Sequence, residues 1–260
     1  MTELRRFFLA LGYFTRIPVP AWVGWAPDEL NRAARYFPLA GLVVAGISAL
    51  VLWLAMAALP ASLAVLLSMA ASLRLTGAFH EDGLADSADG LGGGWQREDV
   101  LRIMKDSRIG TYGAVVLGMA LLTKFVALDV LATQGWLACV ALLVAHPLSR
   151  VAALVVMCAL PYVRDDEGSR AKPVAQGVGA TELLVGALTG LAPLALAVAG
   201  GVLSLPRAGV LLLAALLVTA WWARLLRRRL GGYTGDTLGA TQQFAELACY
   251  LVLCAHLPVR

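Results

Sequence analysis

Pro38-Leu-Ala-Gly-Leu-Val-Val-Ala-Gly-Ile-Ser-Ala-Leu-Val-Leu-Trp-Leu-Ala-Met-Ala-Ala58 contains no charged residue and nothing more polar than one serine. A helix rises about 1.5 Å per residue, so roughly 20 such residues match the hydrocarbon core of a bilayer. Lipid offers the backbone no water to bond, and the run must satisfy its own N–H and C=O groups by being helical. Pro60 marks a tight turn into a second apolar run at about 61–79. Further runs at about 111–131, 136–160, 181–204, 207–223 and 243–257 bring the expected spans to seven.

The composition agrees with these runs. Of 260 residues, 60% are hydrophobic and only 15% charged, with a mean hydropathy of +0.76. That is outside the range of a soluble globular chain. The expectation is an all-α, polytopic integral membrane protein of about seven transmembrane helices, one membrane-embedded catalytic domain over residues 1–260. Residues 4–17 are too short and too aromatic to span, and Pro18 and Pro20 end them, which suits an N-terminal interfacial or re-entrant helix. No small-residue cleavage site follows the start, so the first span is expected to insert uncleaved. Cys139, Cys158, Cys249 and Cys254 lie in apolar runs without metal spacing and read as small buried hydrophobes.

A net charge of +4 invites a nucleic-acid reading, but in a polytopic chain excess Lys and Arg mark cytoplasmic loops. The N-terminal region (Arg5, Arg6, Arg16, Arg32, Arg35) and the 80–110 loop (Arg97, Arg102, Lys105, Arg108) are basic. So are the 161–180 loop (Arg164, Arg170, Lys172) and the 224–242 loop (Arg224, Arg227, Arg228, Arg229). With seven spans all four fall on one side, while the other side holds only Arg207 and Arg260. The expectation is a bacterial inner-membrane protein whose long loops face the cytoplasm, with the bilayer and no nucleic acid as partner, and with room for homo-oligomers.

Acid concentrates in Phe79-His-Glu-Asp-Gly-Leu-Ala-Asp-Ser-Ala-Asp-Gly-Leu-Gly-Gly-Gly94. On a helix Asp82, Asp86 and Asp89 share one face at i, i+4 and i+7, with Glu81 and His80 beside them. Clustered carboxylates suit a hard divalent cation such as Mg²⁺, which also bridges phosphate oxygens; the plain alternative is a solvated loop paired with Arg74, Arg97 or Arg102. His80 is a proton-transfer candidate.

Met104-Lys-Asp-Ser-Arg-Ile-Gly-Thr-Tyr-Gly113 follows, with Lys105, Ser107, Arg108 and Thr111 at a helix start whose free N–H groups suit phosphate. As topology markers the same cations would be ordinary. In Gly235-Asp-Thr-Leu-Gly-Ala-Thr-Gln-Gln-Phe-Ala-Glu246, Asp236, Gln243 and Glu246 fall on or near one face at the entry to the last span. Glu246 reads as an intramembrane functional acid or as an interhelical hydrogen-bonding residue. His146-Pro147 with Arg150 is expected to break the fourth span at mid-depth, and Lys124 and Asp129 to snorkel or pair locally near the outer end. Lys172, with Arg170, could reach over the site. Acid, base, amide and glycine on one face suit phosphoryl-group transfer, in which positioning and charge neutralisation do most of the work.

The motifs His80-Glu-Asp-Gly-Leu-Ala-Asp-Ser-Ala-Asp-Gly90, Met104-Lys-Asp-Ser-Arg-Ile-Gly-Thr-Tyr-Gly113 and Gly235-Asp-Thr-Leu-Gly-Ala240 resemble those of the cobalamin synthase family, the adenosylcobinamide-GDP ribazoletransferases. Thr15-Arg-Ile-Pro18 and Tyr36-Phe-Pro-Leu-Ala-Gly41 add to the match, which covers nearly the whole chain in order. The resemblance implies a Mg²⁺-dependent enzyme joining adenosylcobinamide-GDP to α-ribazole or its 5′-phosphate, with adenosylcobalamin or its 5′-phosphate and GMP as products. Carried onto this chain, it makes Glu81, Asp82, Asp86 and Asp89 candidate metal ligands and Asp89, Asp236 or His80 the proton-transfer group. Lys105, Ser107, Arg108, Thr111, Arg16, Lys172, Gln243 and Glu246 become candidate substrate contacts. Two alternatives stand beside it: a CDP-alcohol-type phosphotransferase, whose spacing departs from this one after the second Asp, and a secondary transporter, which needs no dense acid motif.

Overall fold

Charge-free sequence becomes helix in the computed structural model, which describes residues 2–24, 27–164 and 178–255. Helix α1 (Thr2–Phe14) lies ahead of the bundle and is too short to cross a bilayer. A short helix α2 (Pro27–Ala33) runs through a 3-10 turn into α3 (Phe37–Met56), which holds the apolar run quoted first. Pro60 starts α4 (Ala61–Thr76), which ends on two left-handed residues, Gly77 at φ +66° and Ala78 at φ +58°. They turn the chain by 85° into α5 (Phe79–Gly93), the acidic stretch, helical as its small residues allow. A short α6 (Arg97–Ile103) precedes α7 (Thr111–Ala132), α8 (Leu137–Ala159), α9 (Ala180–Ala199), α10 (Leu205–Arg229) and α11 (Gly235–Cys254). Among the described residues there is no strand, only an isolated bridge between Tyr162 and Tyr233.

Helix α8 is the hub. It packs against α3, α7, α9, α10 and α11, and 78% of its apolar window is buried, against 22–39% for the other apolar helices. Those helices turn Leu, Val and Trp side chains outward, as at Trp53, Leu67, Leu122, Leu188 and Leu217, which is the surface lipid requires.

Five helices are long and apolar enough to cross a membrane, or six if α4 and α5 count as one bent span. Two of the seven runs expected from sequence account for the difference. Helix α4 has only 16 residues before its left-handed exit. Helix α11 starts at Gly235, eight residues before the apolar run at 243–257, because Thr234 and Thr237 form a reciprocal capping box there. Its buried face carries Gln242, Gln243 and Glu246, so its neighbour is protein rather than lipid.

Two further expectations are corrected. Helix α8 is continuous through Pro147, and the Ser149 and Arg150 side chains both donate to the His146 carbonyl, at 2.9 and 2.8 Å. Of the cysteines only Cys249 is buried; Cys139 and Cys254 are half-buried and Cys158 is exposed.

Candidate active site

Helix α5 lies between α7 and α11, and the three touch at glycines. A β-carbon at Gly83 would stand 2.6 Å from the Asp236 carbonyl oxygen, and one at Gly239 would stand 3.1 Å from the His80 carbonyl. Only residues without side chains permit this approach. It divides the four acids of α5 into two sets.

The outward set is Asp82, exposed, and Asp86, half-buried. Asp82 and Asp86 share an electrostatic neighbourhood with Asp236, from the first turn of α11, and with Arg164. Arg164 Nη1 donates to Asp236 Oδ2 at 2.9 Å. Burial raises the Asp236 pKa although Arg164 opposes the rise. Three carboxylates against one guanidinium leave the face short of positive charge. Carboxylate oxygens are the donors a hard cation takes, so the set fits Mg²⁺ by its chemistry. Among the described residues no three His, Cys, Asp or Glu side chains stand close enough to hold a metal ion as they are.

Asp89 and Glu81 form the inward set. Asp89 accepts from the Gly110 and Gly113 backbone N–H groups at 2.7 and 2.8 Å, one to each carboxylate oxygen. The helix start that the sequence offers to phosphate is therefore filled by the chain's own anion, which the dipole and free N–H groups of α7 favour. Glu81 is buried and meets Lys124 Nζ at 3.5 Å and Gln243 Nε2 at 2.9 Å.

Lys124 is where the structure departs furthest from expectation. Rather than snorkelling, it is 6% exposed and also reaches Glu246 Oε1 at 3.0 Å. Glu246 further accepts from Gln242 and from the Tyr250 hydroxyl at 3.1 Å, and His146 Nε2 stands 3.9 Å away. Gln242 donates to Ser149 Oγ at 3.0 Å. Arg150, 2% exposed, crosses the Phe14 ring at 5.9 Å and lies in the space Gly41 leaves open. Lys124 pairs with both Glu81 and Glu246, and Arg150 adds a second buried positive charge at longer range. Beside them is a cavity of about 20 Å³, room for a single water, lined by Glu81, Lys124, His146 and Glu246.

The remaining sequence candidates scatter. Gln243 and Glu246 belong to the buried network rather than to an open face. His80 is buried and stacks on Phe14, with ring centroids 5.4 Å apart. Lys105, Ser107, Arg108 and Thr111 are exposed. Arg108 grips Asp106 with its backbone N–H and two guanidinium bonds, which holds the Asp106 pKa down to about 2. Arg16 lies over Gly77 at the bend, its backbone N–H bonded to the Leu75 carbonyl at 2.7 Å. Lys172 lies outside the described residues. Asp129 does pair locally, accepting from Ser62 Oγ at 2.8 Å.

Sequence reasoning missed Lys124 and Arg164 as parts of the site. A lone Lys within an apolar run was the available signal for the first, because a charge there demands a partner. For Arg164 nothing in the 161–180 loop distinguished it from its basic neighbours.

Comparison with known proteins meets this geometry at residues 6–254, which match the model of the cobalamin-5-phosphate synthase family. The chain belongs to that family. Three curated relatives carry the name adenosylcobinamide-GDP ribazoletransferase. The one from Shewanella frigidimarina is 49% identical over 98% of this chain and 96% of its own length. Those from Shewanella woodyi and Shewanella oneidensis are 52% and 50% identical over 96% of this chain, and over 96% and 94% of their own lengths. No solved structure matches the chain. The motifs that carry the family resemblance are those that build α5, the start of α7 and the start of α11.

Proposed function

We propose that this cobalamin synthase family member is an adenosylcobinamide-GDP ribazoletransferase of the bacterial inner membrane, working at its cytoplasmic face on α-ribazole or its 5′-phosphate. The observation that carries the mechanism is the shared face of Asp82, Asp86 and Asp236 beside Arg164. In the reaction the ribazole hydroxyl oxygen bonds to the phosphorus on the cobinamide side of the diphosphate. The bond from that phosphorus to the bridging oxygen breaks, and GMP leaves. The hydroxyl proton goes to a carboxylate. Asp236 suits this role, because Asp89 is committed to the α7 backbone and Asp86, the other carboxyl whose pKa burial raises, is given to the metal in this reading. Asp82 and Asp86 would hold Mg²⁺, which when bound neutralises negative charge on the phosphate oxygens. Lys105 and Arg108, on the exposed loop before α7, and Arg16 at the bend offer cations to the diphosphate.

The test is release of GMP by purified protein in nanodiscs. The reading expects release only when adenosylcobinamide-GDP, ribazole and Mg²⁺ are all present, and expects chelation to stop it. Release without ribazole, or uptake of substrate without bond cleavage, overturns the reading.

A further inference from the structure

Beyond the acid face, the cytoplasmic end of the fold holds an open cleft of about 530 Å³, walled by Arg97, Arg227, Arg228 and Arg229 with Trp95 at its mouth. It is built rather than incidental. Arg97 Nε donates to the Leu230 carbonyl at 3.0 Å and its Nη2 to the Val163 carbonyl at 3.3 Å. Arg229 Nη2 donates to the carbonyls of Gly94 and Leu91, at 2.6 and 3.3 Å, which ties the end of α10 to the end of α5. Arg227 and Arg228 are exposed, no acid among the described residues lines the cleft, and Trp95 is 90% exposed, so a large ring stands uncovered beside a cationic pocket. The nearby Asp99 is paired with Arg102 at 2.9 Å.

The cleft and the acid face meet at two consecutive residues. Val163 lines the cleft and bonds the Tyr233 carbonyl through its N–H at 3.0 Å, while Arg164 turns to Asp236.

We propose that the cleft binds a nucleotide, its phosphate against Arg227 and Arg228 and its flat ring on Trp95. The inference rests on the transferase reading, in which each of the two substrates can present a phosphate close to a flat ring. Arginine suits the phosphate because its planar fork matches the oxygens, and tryptophan suits any base face. A lipid headgroup would supply the phosphate but leave Trp95 without a ring to stack on.

The probe is GMP, its Kd measured on the full protein in neutral phosphatidylcholine nanodiscs. Arg228→Gln and Trp95→Ala should each weaken binding about tenfold, the scale of one charged hydrogen bond or one stacked base. Trp95→Phe should retain most of it. Both residues are exposed, and melting curves check that the variants remain folded. An unchanged Kd in Arg228→Gln and Trp95→Ala overturns the proposal, as does a loss confined to phosphatidylglycerol association. Wild type that binds GMP through these residues but shows no transfer overturns the transferase reading and keeps the cleft. Transfer with unchanged KM values for both substrates in the two variants overturns the cleft alone.

Discussion

Lys124 holds carboxylates from two other helices, Glu81 of α5 and Glu246 of α11, in a site that water scarcely reaches. Removing one partner of a buried ion pair leaves a charge with no compensation, at a cost of about 3–5 kcal/mol. Lys124→Met should therefore lower the melting temperature sharply in detergent, and adding Glu246→Gln should recover part of the loss. Additive losses in the double variant would mean the two groups act independently. Asp82 and Asp86 behave differently, since neither is fully buried. Asp82→Ala and Asp86→Ala should leave the protein folded in the membrane while GMP release falls about 10²-fold or more, the scale of a lost charge-stabilising contact in a transition state. Wild-type turnover in either would remove that residue from the site.

At the scale of elements, α5 works because three contacts fix its position. Gly83 lets it touch the α11 backbone, Asp89 locks it to the first turn of α7, and the Gly77–Ala78 bend sets its direction. Gly83→Ala should push α5 from α11 and lower kcat without removing any polar group; the rate under saturating substrate checks this. Asp89→Asn keeps the shape but loses the charge facing the α7 N-terminus, and a loss of about 1–2 kcal/mol in stability is expected from thermal unfolding. Gly77→Ala combines a left-handed φ of +66° with a β-carbon 2.5 Å from Arg16 Nε, so both strain and displacement of Arg16 follow.

For the whole molecule, orientation is the testable property. The proposed orientation has the basic residues at the end of α10, on the loop before α7 and in the N-terminal region in the cytoplasm, as the positive-inside rule expects. Ser107→Cys should then react with an impermeant maleimide only after the cells are opened, and Thr133→Cys, at the other end of α7, should react in intact spheroplasts. The reverse pattern would invert the proposed face of the site. Helix α8, buried along most of its length, is where a single added charge should be least tolerated.

The sequence by itself determined that this chain is helical and lives in lipid, because apolar runs of about 20 residues have no other way to satisfy their backbones there. It also singled out the segments 79–94, 104–113 and 235–246 as polar islands in an apolar chain. Their family motifs made the membership legible before any helix was placed. What only the tertiary structure decided is how those polar residues are shared out. Asp82, Asp86, Asp89 and Glu81 lie within nine residues, yet two face outward, one caps another helix and one is buried against Lys124. Periodicity puts residues on a face but does not say what the face meets. That depends on Gly83 and Gly239 letting α11 come close and on α7 presenting unpaired N–H groups at its start, contacts between segments distant in the chain.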